Sequence, residues 1–153
     1  MNKFAKLRAY MAENGVDGVL ITSLENMQWY SGFSGDTGDI LVTAEAQYFM
    51  TDFRYLEMAE REMGGDFEFV KITQDGAYRE AAVLVKKHGV KRLAIETSKV
   101  TLDQKAAMDA AFSVSYCSID DEMHALRTIK TPEEIEKMRK GAKITADTFY
   151  HMT

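Results

Sequence analysis

Apolar residues along the chain recur at two spacings, and these predict an alternation of helices and strands. Phe4, Leu7 and Met11 repeat at helical intervals, and Gly15 follows as a natural left-handed stop. By contrast, Val19 to Ile21 form a continuous apolar run, which is typical of a strand covered on both faces. The same reasoning predicts strands near residues 40–42, 48–50, 67–72, 90–95 and 114–119, and helices near 23–30, 54–63, 77–85 and from 101 onwards.

This order of elements predicts an α/β fold, with a mixed, partly antiparallel β-sheet flanked by helices. The apolar runs 40–42 and 48–50 are separated by a short polar break, which predicts a hairpin. Elsewhere strands and helices alternate, as they do where crossover helices cover the faces of a sheet.

A final helix is predicted from the capping box of Thr131 and Glu134, with Pro132 at the first helical position. Its apolar face is formed by residues that repeat at three and four positions: Ile135, Met138, Ala142, Thr145 and Phe149. No glycine or proline follows Phe149. Two interpretations stand equal at this point: a helix that continues into a longer protein, and a terminal helix that docks on its own sheet.

Composition narrows the class of protein. The chain has 153 residues, 46% of them apolar, and a single proline, which is typical of one ordered globular domain. Its net charge of -5 provides no basic face for nucleic acid, and no apolar run approaches the roughly 18 residues that span a bilayer. Met1 leads into a charged stretch unlike a secretory signal. We therefore expect a cytoplasmic protein without membrane or nucleic-acid partners.

The residue types that usually carry chemistry do not form a known pattern. His88, His124 and His151 lie far apart, and no HExxH or paired-cysteine motif occurs. Cys117 stands alone in an apolar and polar alternation, where a cysteine is more often a packing residue than a nucleophile. We expect no metal site and no catalytic residue within these 153 residues.

A glycine-rich stretch, residues 32–39, is the strongest candidate for ligand contact. Its glycines precede a predicted strand, whereas a phosphate loop precedes a helix. Phe33, Asp36 and Asp39 instead suggest a flexible loop that covers a ligand, and a solvated lead-in to the hairpin is an equal alternative. Close by, Asp52 is predicted to cap a helix, and Arg54 to pair with a neighbouring carboxylate.

Two segments in this order resemble a known family. The first, Phe49 to Tyr55, contains Thr-Asp-x-Arg-Tyr, and the second, Arg127 to Ile135, contains Arg-x-Ile-Lys-x-Pro-Glu-Glu-Ile. Together with the Tyr-Ser-Gly-Phe stretch at 30–33, they make the chain similar to the N-terminal domain of creatinases, aminopeptidases P and prolidases. The resemblance covers nearly the whole chain.

The resemblance implies a division into a creatinase/prolidase N-terminal domain, 1–130, and the start of a linker helix into a catalytic domain, 131–153. That catalytic domain would carry two divalent metal ions, usually manganese, on ligands beyond Thr153, so these residues alone should be inactive. The family's N-terminal domain is expected to form a homodimer and to lend a loop to the neighbouring subunit's active site. Phe33, Asp36, Asp39 and Arg54 would then control access of proline-containing peptides.

Other functions stay open. The leading hypothesis is a domain of an Xaa-Pro dipeptidase or Xaa-Pro aminopeptidase, in preference to a creatinase. A member of this lineage that has lost catalysis and serves as a binding module is the first alternative. A free-standing small α/β binding protein is another, against which stands the open-ended last helix.

Overall fold

A computed structural model describes residues 3–73 and 78–152 of the chain. The chain divides into two compact units, which adjoin in sequence between Asp120 and Asp121. Each unit is described here by itself. The division 1–130 and 131–153 refers to a longer protein and stays a prediction.

The first unit contains a six-stranded mixed sheet. Its strands are β1 (Gly18–Ile21), β2 (Asp39–Thr43), β3 (Gln47–Thr51), β4 (Glu68–Lys71), β5 (Arg92–Ile95) and β6 (Ser115–Ser118), in the order β4-β3-β2-β1-β5-β6. The pairs β1–β2 and β2–β3 are antiparallel, and the other neighbours are parallel. The predicted fold class is therefore confirmed, including the hairpin formed by β2 and β3.

Helices connect these strands. In the first unit they are α1 (Lys3–Asn14), α2 (Leu24–Ser31), α3 (Leu56–Met63), a short 3-10 helix (Gly64–Asp66), α4 (Arg79–Lys87) and α5 (Leu102–Ala111). Gly32 ends α2 in the left-handed conformation with a φ of 74°, and its N–H donates to the carbonyl of Gln28, as a glycine stop should. Ala77, predicted to begin the fourth helix, lies outside the described residues.

Two apolar cores lie on opposite faces of the sheet, because successive strand residues point to opposite sides. On one face Tyr48 and Met50 belong to a cluster with Leu84 of α4 and Met108 of α5. On the other face Phe49 is fully buried. The aromatic rings on that second face form a chain of edge contacts, Phe4 with Phe67, Phe67 with Phe49, and Phe49 with Phe33.

One helix was not predicted. Residues Asp120–Thr128 form α6, where the sequence suggested only an extended segment that ended near Ile119. Its sequence begins with three acidic residues and offers few apolar positions at helical spacing, so the periodic signal is weak. A second difference is small, since α3 begins at Leu56 and not at Arg54.

The second unit is dominated by the long helix α7 (Pro132–Met152). Its predicted capping box is formed: Glu134 N–H donates to Thr131 Oγ1 at 3.2 Å, and Thr131 N–H donates to the Glu134 carboxylate at 2.8 Å. Among the described residues of this helix none is buried, and Phe149 is 63% exposed. Within the described ranges, no helix is both long and apolar enough to cross a bilayer.

Candidate functional site

The sheet topology gathers polar groups at one edge, which we call the polar edge. The strands β1, β3, β4, β5 and β6 all end there, and β2 begins there, because β2 alone runs antiparallel to the rest. Polar residues at these strand ends include Thr22, Ser23, Asp39, Thr51, Asp52, Glu96 and Asp120. Ligands of open α/β sheets usually bind outside the carboxyl ends of the strands, so this edge is the candidate site.

The glycine loop, residues 32–38, is tied to its surroundings. Thr51 Oγ1 donates to the carbonyl of Thr37 at 2.7 Å, and Gln28 Nε2 donates to the carbonyl of Gly35 at 3.0 Å. Ser34 contributes both its N–H and its hydroxyl to the carboxylate of Glu62 in α3. These contacts join the loop to α2, β3 and α3 and hold it in one position.

Aromatic rings packed beneath the loop leave no room for a side chain at two of its glycines. Phe33 is only 1% exposed, and its ring lies 5.2 Å from that of Phe49 and 6.0 Å from that of Tyr55. A Cβ atom on Gly35 would approach the Phe33 ring to 2.4 Å, and one on Gly38 would approach the Phe49 ring equally closely. The sequence suggested a flexible loop with Phe33 facing a ligand. In the structure the loop packs onto the core, and the Phe33 side chain lies beneath it.

An outer cluster lies next to this loop and consists of the exposed residues Asp36, Phe53 and Arg54 and the half-buried Asp52 and Tyr55. The Tyr55 hydroxyl donates to Asp36 Oδ1 at 2.8 Å. That bond, together with a second one from the Thr37 hydroxyl, holds the pKa of Asp36 below its usual value. Asp36 is consequently a carboxylate at neutral pH.

Arg54 and Asp52 form the other half of the outer cluster. The guanidinium contacts the carboxylate through Nη2 to Oδ2 at 2.7 Å and through Nε to Oδ1 at 3.1 Å, a fork that fixes its direction. Asp52 Oδ1 also accepts from the backbone N–H of Arg54, so Asp52 caps the turn that leads into α3. The predicted pairing of Arg54 with a nearby carboxylate is thus present.

Phe53 is the exposed aromatic residue of this cluster, with 68% of its surface accessible. The sequence interpretation had assigned an aromatic role to Phe33, which is buried. Phe53 received no role from the sequence. Its position between Asp52 and Arg54, both polar, was the available signal that it faces solvent.

Two inner carboxylates lie on the polar edge, Asp39 at the start of β2 and Glu96 directly after β5. Glu96 is 1% exposed and accepts from Thr22 N–H, Ser23 N–H, the Ser23 hydroxyl and Asn26 Nδ2 at 2.5–2.8 Å. Burial raises the pKa of Asp39 to about 7, and the negative charge of Glu96 adds to the rise. Asp39 is therefore only partly ionised at neutral pH.

The four residues proposed from sequence occupy different places. Asp36 and Arg54 are brought together in the outer cluster, Phe33 lies beneath it, and Asp39 lies at the inner end of the loop beside Glu96. Glu96 received no role from the sequence. The sequence feature that could have indicated a role for Glu96 is its position directly after the buried run 93–95, since a carboxylate at a strand end often has a specific partner.

The described residues do not fit a metal centre. No group of three or more histidine, cysteine or acidic side chains within 3–73 and 78–152 could surround an ion. Of the inner carboxylates, Glu96 already has both oxygens engaged by hydrogen-bond donors. The metal ions that the resemblance implies therefore have no place among these side chains.

A family model for the Creatinase/Prolidase N-terminal domain matches residues 3–129. The chain belongs to this family. It is 34% identical over 98% of its length to the uncharacterized peptidase YqhT of Bacillus subtilis, of which it covers 42%. It is also 30% identical over 93% of its length to an Xaa-Pro dipeptidase of Pyrococcus horikoshii, of which it covers 39%.

Solved structures agree with this family assignment. An Xaa-Pro dipeptidase from Bacillus anthracis superposes with a TM-score of 0.89 at 30% identity, covering 97% of this chain and 41% of that one. The N-terminal domain of the cytoplasmic peptidase PepQ from Mycobacterium tuberculosis, solved by itself, superposes with a TM-score of 0.71 at 30% identity, covering 81% of this chain and 97% of that one. The chain spans about two-fifths of the length of the curated relatives that it matches.

Proposed function

We propose that this chain is the non-catalytic N-terminal domain of a proline-specific metallopeptidase, either an Xaa-Pro dipeptidase or an Xaa-Pro aminopeptidase. The observation that carries the proposal is its match to the N-terminal two-fifths of such enzymes, at a TM-score of 0.89. Manganese dependence and a cytoplasmic location belong to the same proposal.

As part of this proposal, the outer cluster controls which substrates reach the active site of a neighbouring subunit. Support comes from its exposure and its alternation of charge: Asp36 and Asp52 are anionic, and Arg54 is cationic with a side chain 62% exposed. Fixed charges of this kind discriminate between peptides by the charge of the terminus or side chain that passes them. Phe53 adds an apolar surface beside them, while Phe33 and Asp39 hold the loop in place.

Access at a neighbouring active site requires a second copy, so the proposal includes a homodimer of the complete protein. The sheet and its loop form one packed unit, which suits a domain that presents a fixed surface across a subunit interface. Sedimentation of the complete protein tests this part, and a monomer at catalytic concentrations would contradict it.

The activity is tested with the complete protein that contains this domain. With added manganese it should hydrolyse Xaa-Pro dipeptides or peptides with proline in the second position, and a chelator should abolish turnover. Comparing a dipeptide with a longer peptide separates the two enzyme classes. Creatine as the preferred substrate would make the protein a creatinase, and no turnover of any of these would favour a binding module.

The access role is tested by Asp36→Ala and Arg54→Ala in that complete protein. Each should change kcat/KM for substrates with a charged residue before proline by roughly tenfold relative to neutral ones, since one charge contact is removed. Asp103→Ala, which removes an exposed carboxylate from α5 on the other face of the sheet, is the matched control. Identical ratios in all three variants would exclude the role.

A further inference from the structure

A groove between α4 and α5 is a feature that the proposed function leaves unused. It encloses about 860 Å³ and lies on the sheet face opposite the glycine loop. Its lining comes from two stretches, 79–91 and 107–114, all within the first unit. A volume of this size is in the range of sites for small ligands, which is roughly 300–1,000 Å³.

Small side chains give the groove its depth. Alanines line both helices, at Ala82 on α4 and at Ala107, Ala110 and Ala111 on α5. Larger apolar side chains that reach into the core, namely Val85, Val90 and Phe112, complete the lining. The interior of the groove therefore favours a hydrocarbon surface.

The charged residues that line the groove all have one sign. Arg79, Lys86 and Lys91 line it, and no carboxylate appears among the described lining residues, although the chain as a whole carries a net charge of -5. Lys86 lies near the end of α4 and Lys91 just before β5, so both are at the same end of the groove, with Ser113 ahead of β6. The positive charge at that end of the groove favours an anionic group on the ligand.

We propose that this groove binds a single-chain amphiphile with an anionic carboxylate head, a fatty acid of medium length. The hydrocarbon chain lies along the alanines of α4 and α5, and the carboxylate is held at the end formed by Lys86 and Lys91. The site is independent of the polar edge and of the proposed peptidase function.

Calorimetric titration of the 153-residue chain with octanoate, decanoate and dodecanoate tests the apolar part. Each added methylene should tighten binding about fourfold until the groove is filled, because each transfers more hydrocarbon out of water. Dodecanol and dodecyltrimethylammonium, which lack the negative head, should bind at least about tenfold more weakly than dodecanoate. Equal binding by all three head groups, or no dependence on chain length, would overturn the proposal.

Two variants locate the site. Ala110→Trp places a large side chain at an exposed lining position and should abolish dodecanoate binding without lowering the melting temperature. The double reversal Lys86→Glu with Lys91→Glu should weaken it by about tenfold or more. Lys6→Glu with Lys71→Glu, a matched reversal of exposed lysines outside the groove, should leave it unchanged. If dodecanoate binds every variant alike, or if only an acidic amphipathic peptide binds, the proposal is wrong.

Discussion

The two ends of the glycine loop give the same residue type opposite properties. Asp36, at the outer end, is exposed and accepts hydrogen bonds from Tyr55 and Thr37, which lower its pKa. Asp39, three residues later, is held beside the carboxylate of Glu96, and burial raises its pKa to about 7. Near neutral pH the outer end is therefore charged, while the inner end is partly protonated.

Because of this difference in exposure and pKa, the two ends of the loop have different roles. At the inner end, Glu96 accepts hydrogen bonds from the backbone that follows β1 and from Asn26, and so joins the end of β5 to the start of α2. The outer end connects the loop to the turn at residues 52–55 and leaves its charges in solvent. Changes at the inner end should alter the stability of the fold, and changes at the outer end should alter what the surface contacts.

The largest expected effect is that of Glu96→Ala. Removing a buried acceptor leaves the backbone N–H groups of Thr22 and Ser23 without their partner, and we expect a loss of about 3–5 kcal/mol in the free energy of unfolding. Urea denaturation of the 153-residue chain measures it. Glu57→Ala, at an exposed position in α3, is the control and should change little. A loss below about 1 kcal/mol for Glu96→Ala would mean that Glu96 does not organise the inner end.

The next effect is the pH dependence produced by Asp39. Its pKa is raised in the folded state, so the folded chain binds more protons than the unfolded chain between about pH 4 and 7. Its contribution to the free energy of unfolding therefore falls as the pH rises through that window. Asp39→Asn removes this slope and should gain stability relative to the wild type from pH 4 to pH 8, by at most about 4 kcal/mol.

Denaturation at a series of pH values measures that gain, and carbon-detected NMR titration of the Asp39 carboxyl group checks its cause. A titration midpoint near the ordinary aspartate value would contradict the burial of Asp39 and the effect of the Glu96 charge on it. Asp36 supplies the internal comparison, because its pKa is lowered and the sign of its contribution is reversed.

The smallest effect on stability is expected for Tyr55→Phe. This substitution removes only the hydroxyl that donates to Asp36, in an exposed position where hydrogen bonds to water replace it. The urea midpoint should stay within experimental error, while the NMR pKa of Asp36 should rise towards its ordinary value. An unchanged Asp36 pKa would show that Tyr55 does not define the outer end.

Local signals predicted most of the fold. The glycine at position 32 ends α2, the box of Thr131 and Glu134 begins α7, and the apolar run 19–21 is the central strand β1. Each depends on residues within one or two turns of each other, where backbone conformation and capping act directly. Helix α6 was missed because its own residues carry little periodicity.

Among the site residues, the sequence identified the loop and the reactive types within it. It placed Asp36 and Arg54 in the same candidate site, and the structure brings them into one cluster. The charged neighbours of Phe53 indicated that it faces solvent, but nothing close to Phe33 in the sequence indicated that its ring is buried. Which of the two is buried depends on the rings of Phe49 and Tyr55, which approach from other parts of the chain.

By itself, the sequence determined the order of helices and strands, the mixed character of the sheet and the family to which the chain belongs, because these depend on local periodicity and on motifs contiguous in the chain. Only the tertiary structure decided that Asp39 is buried within reach of the Glu96 charge, and that Lys86 of α4 and Lys91 just before β5 line one groove. Such proximity between residues distant in sequence follows from strand order and helix packing. They fix the ionisation and exposure of a side chain through its surroundings, which the residue type alone does not specify.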